Sequence, residues 1–150
     1  MRKSTAWILF LLLSVGTGGQ AVAEDYQAIA QTFFQELATK GAVDAVDNLY
    51  ATNRWISSQS DAVINLKNQL GGVGNLVDDY YGVERIAEFQ VGTRFVYLSY
   101  MALYDRQPLR FIFEFYKPKD RWRVYSFSFD DKLDNDLERE VLRADWFKTR

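Results

Sequence analysis

Apolar residues recur with a helical period at Tyr26, Ile29, Ala30, Phe33, Phe34, Leu37 and Ala38, the i, i+3, i+4, i+7, i+8, i+11, i+12 template of one helix face. Gly41 is placed to stop that helix. Val43, Val46, Leu49 and Tyr50 predict a second, short helix, and Asn53 to Ser60 reads as a connection. A third helix is expected to start near Ser57 or Ser60, to turn Ala62, Val63, Leu66 and Leu70 inward, and to end at Gly71-Gly72.

From Gly82 to Asp130 the period changes to two, and turn residues divide the stretch into four strands. They run about Val83 to Gln90, Thr93 to Tyr104, Leu109 to Lys117 and Trp122 to Phe129. Asp105-Arg106-Gln107-Pro108 and Pro118-Lys119-Asp120-Arg121 carry the chain between the later strands. The fold class is therefore α+β, with N-terminal helices packed on a curved four-stranded antiparallel meander. The tail from Asp134 to Phe147 spaces Leu137, Val141, Leu142 and Trp146 as a fourth, surface-lying helix would, one that covers a sheet edge or end.

With two-residue turns at Val91-Gly92, Arg106-Gln107 and Lys119-Asp120 the register can be written out. One face then collects Val83, Ala87, Phe89, Val96, Leu98, Tyr100, Ala102, Phe111, Phe113, Phe115, Trp122 and Val124, and is assigned to the helices. The other holds Glu84, Ile86, Glu88, Phe95, Tyr97, Ser99, Met101, Arg110, Ile112, Glu114, Tyr116, Arg123, Tyr125 and Phe127. This second face is far too aromatic for a fully wet surface. A bulge would exchange the sets beyond its position.

The first 23 residues change the picture, because they read as an export leader. Arg2 and Lys3 precede the apolar run Ala6 to Leu13, glycines follow at 16, 18 and 19, and Ala21-Val22-Ala23 offers a cleavage site before Glu24. The alternative, an uncleaved anchor, requires roughly 20 mostly apolar residues, more than this run supplies. The remaining 24–150 stretch is of single-domain length, expected in the periplasm or secreted, touching a membrane only through its leader.

The chain carries 18 basic and 20 acidic residues, a net charge of −2 that becomes −4 without Arg2 and Lys3, and this speaks against nucleic acid as partner. Cys and His are both absent, which excludes disulfide staples, thiolate metal sites, cysteine nucleophiles and the Ser-His-Asp triad. Catalysis would have to rest on carboxylates, Tyr, Lys or Arg, with a carboxylate pKa raised by burial. Asp130-Asp131 with Asp134 and Asp136 lacks the glycine and terminal glutamate of a calcium loop and reads as a solvated turn. Gly71-Gly72-Val73-Gly74 lacks the Lys-Ser/Thr of a phosphate loop and reads as a helix stop and hinge, so no metal or other cofactor is implied.

Helices followed by long aromatic strands, with Asp120-Arg121-Trp122-Arg123-Val124 leading into Val-Tyr-Ser-Phe-Ser-Phe, resemble the nuclear transport factor 2-like superfamily, the cystatin-like cone. The resemblance covers roughly Asp25 to Asp131, and Leu70-Gly71-Gly72-Val73-Gly74 leading through Tyr80-Tyr81-Gly82 is similar to small exported members. It implies a sheet wrapped around the first helix and homodimers through the open sheet face. Its isomerase-like enzymes hold a carboxylate base with an acid pair inside the cone, and no such set matches here residue by residue.

Two groups of residues stand out as candidate sites. Arg85, facing the helices beside Tyr100, Ser126 and Ser128, either anchors a small apolar or weakly acidic ligand or snorkels to water and pairs with an acidic residue. Tyr97, Arg110, Glu114, Tyr116, Arg123 and Tyr125 on the other face form either a solvated cross-strand ladder or a protein interface. The expected function is a non-catalytic exported binding or interaction domain, with no catalytic residue assigned. An isomerase or dehydratase using a buried carboxylate with Tyr, and an envelope carrier of apolar ligands, are the alternatives.

Overall fold

The computed structural model describes residues 25–135. The leader expected over residues 1–23 and nearly all of the expected tail helix lie outside them, although Leu133–Asn135 are already helical. The elements run α1 Tyr26–Thr39, α2 Ala42–Ala51, α3 Asp61–Val77, β1 Tyr80–Val91, β2 Phe95–Tyr104, β3 Leu109–Tyr116 and β4 Arg123–Asp130. The sheet is antiparallel in the order β1-β2-β3-β4, each strand beside its predecessor, and the helices pack on one face of this curved sheet.

α1 forms where the apolar period places it. It stops where the amides of Lys40 and Gly41 both donate to the Glu36 carbonyl, at 2.7 and 3.0 Å, with Gly41 at φ +94°. Its buried face is Tyr26, Ile29, Ala30, Phe33 and Phe34, joined by Glu36 in place of the expected Ala38. Phe33 lies 5.2 Å from Phe113 and 4.9 Å from Phe127 between ring centroids, and Phe34 lies 5.1 Å from Tyr100 and 5.3 Å from Phe111. Edge-to-face and tilted ring pairs of this kind stabilise beyond the apolar area they bury. In α2 the buried residues are Ala45, Val46, Leu49 and Tyr50, while Val43, expected inside, is exposed.

α3 corrects the expected stop at Gly71-Gly72. The helix continues through both glycines and Gly74 to Val77 and ends at Asp78, whose φ is +65°. Each helical glycine costs up to about 1 kcal/mol relative to alanine. Val73 and Val77, however, extend the stripe of Leu66 and Leu70 onto the core, and that burial outweighs the backbone cost.

Bulges in β4 and β1 decide which side chains face the helices. In β4 the register steps from Phe115 opposite Val124 to Glu114 opposite Ser126, leaving Tyr125 as the extra residue. Beyond it Phe127 and Phe129 face the core, and Ser126 and Ser128 face away, contrary to the continuous register expected. Burying a phenyl contributes about 1.5–3 kcal/mol against roughly 1 kcal/mol for an interrupted ladder bond, so the bulge is the favoured arrangement. The corner after α2 fixes its position: Val124 N–H donates to Thr52 Oγ1 at 3.0 Å, and Asn53 Nδ2 donates to the Val124 carbonyl at 2.7 Å.

In β1 the register slips at Tyr81 and again at Ile86. Before Ile86, Val83 and Arg85 face the helices as expected; beyond it Glu88 and Gln90 do, and Ala87, Phe89 and Val91 turn outward. The hairpin to β2 has three residues, Gly92-Thr93-Arg94, rather than two, with Gly92 at φ +60°.

Phe33→Ala is expected to lower the unfolding free energy by about 3–5 kcal/mol, whereas Val43→Ala, at an exposed position of α2, should change it by less than about 0.5 kcal/mol. Asn53→Ala strands the Val124 carbonyl and the Trp55 amide that Asn53 Oδ1 accepts, and should cost about 1–3 kcal/mol. Urea unfolding followed by circular dichroism measures all three.

Candidate functional site

The strands project two chemically distinct surfaces, and the expected site residues divide between them differently from the expectation. On the helix side, Tyr100 is buried against Phe34 and Phe113, and burial pushes its phenol pKa up, with nearby Arg85 opposing. Arg85 stands opposite Tyr100, half exposed on the outermost strand, and its Nη1 donates to Glu88 Oε2. The guanidinium is thus paired with an acidic residue, one of the two alternatives posed by the sequence. Ser126 and Ser128 lie on the opposite face of the sheet, so the four residues expected to line one ligand pocket do not converge. Phe33 and Phe34 occupy the space between helix and sheet instead.

Glu88 organises a cluster that the sequence did not reveal. Tyr26 Oη donates to its Oε1 at 2.8 Å, Gln90 Nε2 donates to the same oxygen at 3.1 Å and to the Tyr26 hydroxyl at 2.9 Å, and Gln27 reaches Oε2 at 3.4 Å. The Tyr26 and Gln90 hydrogen bonds, then Arg85, hold the Glu88 carboxyl below its usual range, whereas burial and the same contact raise the Tyr26 phenol. No sequence signal marks the cluster, because it exists only once Ile86 has bulged.

Glu36, the buried carboxylate of α1, accepts from Asn48 at 2.7 Å and Lys40 at 3.0 Å, and those bonds lower its pKa. Burial alone would raise Asp130, but Arg110 at 2.8 Å and the Lys132 amide outweigh it and leave that carboxyl low as well. A general base near neutral pH needs the opposite shift, so these three carboxylates are built as ion-pair acceptors. Asp130 is therefore the partner of Arg110 rather than part of a free aspartate turn. Among the described residues no His, Cys, Asp and Glu gather in threes as a metal site would need.

The outer face keeps the expected interface set together. Tyr97 pairs with Glu114, Tyr116 pairs with Arg123 whose guanidinium lies 5.4 Å from its ring, and Arg110 pairs with Met101 and Asp130 across the strands. Tyr125, the bulged residue, is 59% exposed and its ring lies 5.6 Å from Phe95. Glu114 stands opposite Ser126 rather than opposite Tyr125. The bulge at Ile86 adds residues that the expectation left out: Phe89 is 66% and Val91 58% exposed beside Tyr97 and Phe95. Neither Glu114 nor Arg123 has an ion-pair partner among the described residues.

The chain matches no protein-family model, no curated protein and no solved structure. Two of the surface clefts formed by the described residues lie at opposite ends of the sheet. One, of about 440 Å³, lies between the end of α3 and the β2–β3 turn, with Val73, Leu76, Leu109 and Phe129 in its wall and Arg106 and Asp131 at its rim. The second, of about 630 Å³, lies between the corner after α2 and the β3–β4 turn. No helix of the described residues is long and apolar enough to cross a membrane.

Because the Glu88 carboxyl is held low, it contributes stability that is present above the unfolded carboxylate pKa and lost as pH falls through its folded value. Melting temperature should therefore drop below about pH 4.5. Glu88→Gln, which leaves the Tyr26 hydroxyl partnered, should flatten part of that drop; an unchanged acid slope would show that the cluster carries no charge-dependent stability.

Proposed function

We propose that this chain is a non-catalytic exported interaction domain that pairs with a second copy of itself through the outer face of its sheet. The observation that carries the reading is Phe89. A register without the Ile86 bulge would turn its ring toward the helices, yet it stands largely in water, forgoing about 1.5–3 kcal/mol of burial that nothing in the described chain returns. Val91, Phe95, Tyr97, Tyr116 and Tyr125 extend the same surface, and Tyr and Arg are the residues that anchor protein interfaces. Glu114 and Arg123 give one face both charges without an internal ion pair, so two copies placed face to face offer each other complementary groups. The long outer strand β1, twice bulged and carrying Glu84, Arg85 and Glu88, is poorly suited to edge-to-edge pairing, which favours contact through the face.

Helices followed by a curved antiparallel meander support membership of the nuclear transport factor 2-like superfamily, and the leader pattern supports export. A second reading, a carrier of apolar ligands in the envelope, has the 440 Å³ cleft in its favour, a volume within the range of small-molecule sites. Native mass spectrometry of protein taken from its own compartment would show a retained ligand as added mass. For the first reading, equilibrium sedimentation at micromolar concentration should return a dimer. Phe89→Glu with Tyr125→Glu should return a monomer of unchanged circular dichroism, and a wild-type protein that sediments only as monomer would remove the proposal.

A further inference from the structure

The meander segregates charge. The β1–β2 and β3–β4 turns fall at one end of the sheet and bring Arg94, Lys117, Lys119, Arg121 and Arg123 there, with Asp120 as the acidic residue among them. The opposite end holds Asp78, Asp79, Asp105, Asp130 and Asp131 against Arg106 and Lys132. The corner after α2 adds Arg54 and Trp55 to the basic end, where they and the β3–β4 turn enclose the 630 Å³ cleft.

That cleft is built to leave its cations available. Arg94 Nη1 donates to the carbonyls of Lys117, Pro118 and Lys119 at 3.0–3.2 Å, and so fixes the shape of the turn. The Arg54 guanidinium lies over the Trp55 ring, 4.7 Å from its centroid, and Lys117 Nζ lies 4.7 Å from the Trp122 ring centroid. None of Arg54, Lys119 and Arg121 lies in an ion pair with a carboxylate among the described residues. Trp55 is 71% exposed, an indole kept in water beside a guanidinium. In a chain of net negative charge, these unpaired cations concentrate positive charge around one concavity, with Asp120 as the carboxylate in its lining.

We propose that this cleft binds a phosphate group, held by Arg54, Lys119 and Arg121, while the apolar or flat remainder of the ligand rests on Trp55. Guanidinium groups match phosphate oxygens two at a time, and Lys119 supplies a further point charge. A phosphate at this site can come from an anionic lipid headgroup or from a soluble phosphate ester. The two sources share the contacts and differ only in what Trp55 meets. The site lies at the end of the sheet and does not depend on pairing through its face.

The test uses the chain with its leader region unaltered in every variant, so that the leader contributes equally throughout. Cosedimentation with vesicles of phosphatidylcholine containing phosphatidylglycerol is compared with phosphatidylcholine alone, and calorimetry is run with glycerol 3-phosphate and inorganic phosphate. Preference for the anionic vesicles without heat from the soluble esters assigns the lipid source; saturable heat from glycerol 3-phosphate assigns the soluble one. In either arm Arg54→Ala, Lys119→Ala and Arg121→Ala should each weaken binding roughly fivefold, and the triple variant about 100-fold. Lys132→Ala, at the acidic end, should leave it unchanged. Failure to bind in both arms, a triple variant that binds like the wild type, or equal weakening by Lys132→Ala would overturn the assignment.

Discussion

Two adjacent phenylalanines, Phe33 and Phe34, hold the helical layer to the sheet, and the rest of the described fold is arranged around making that contact possible. Neighbouring residues on a helix point about 100° apart. A flat sheet would therefore cover one ring and leave the other at its margin, yet both are buried, against Phe113 and Phe127 on one side and Tyr100 and Phe111 on the other. The sheet has to curve around α1, and the bulges at Tyr81, Ile86 and Tyr125 bend its two outer strands to do so. With no cysteine in the chain, this aromatic layer has no covalent support.

The same bulges explain which parts of the architecture could be read from the sequence. Element identity depends on local period and turn residues, so α1, the four strands and the corners at Asp105–Pro108 and Pro118–Arg121 follow from the sequence. The shared outer face of Tyr97, Arg110, Glu114 and Tyr116 on β2 and β3 also follows, because those central strands pair without interruption. Sidedness in the outer strands depends on a single inserted residue, and one slip exchanges everything beyond it. In β4 a trace exists: Val124 and Phe127 are three apart, breaking the period of two, and Ser126 and Ser128 alternate with Phe127 and Phe129. In β1 there is none, since Glu88 turns inward for the hydroxyl of Tyr26, 62 positions earlier in the chain.

Filling the concave face with α1 moves the chemistry of this domain to its exterior. The polar groups that remain inside are tied to named partners: Glu36 to Asn48 and Lys40, Lys67 to Asp47 and the Ser58 carbonyl, Asn53 to Val124. Each satisfied pair removes the penalty of burying a polar group and at the same time removes a free base, acid or ligand anchor. Glu36 Oε2 stays buried without a hydrogen bond, while exposed rings on the sheet face and unpaired cations at one end lie outside.

The separation of charge at the ends is a consequence of topology acting on a sequence that looks evenly mixed. Acidic and basic residues alternate along the second half of the chain in blocks spaced by about one strand: Asp78-Asp79, then Arg94, then Asp105, then Lys117 to Arg123, then Asp130-Asp131. A meander folds that alternation in half at each turn, so these basic blocks land at one end and these acidic blocks at the other, where Arg106, Arg110 and Lys132 partly offset the aspartates. Because the strands run along the sheet and the turns lie at its ends, the apolar face and the charged ends stand roughly at right angles. A partner on the face leaves the basic turns uncovered. Four antiparallel strands therefore give this domain two distinct surfaces, an aromatic face and a basic end.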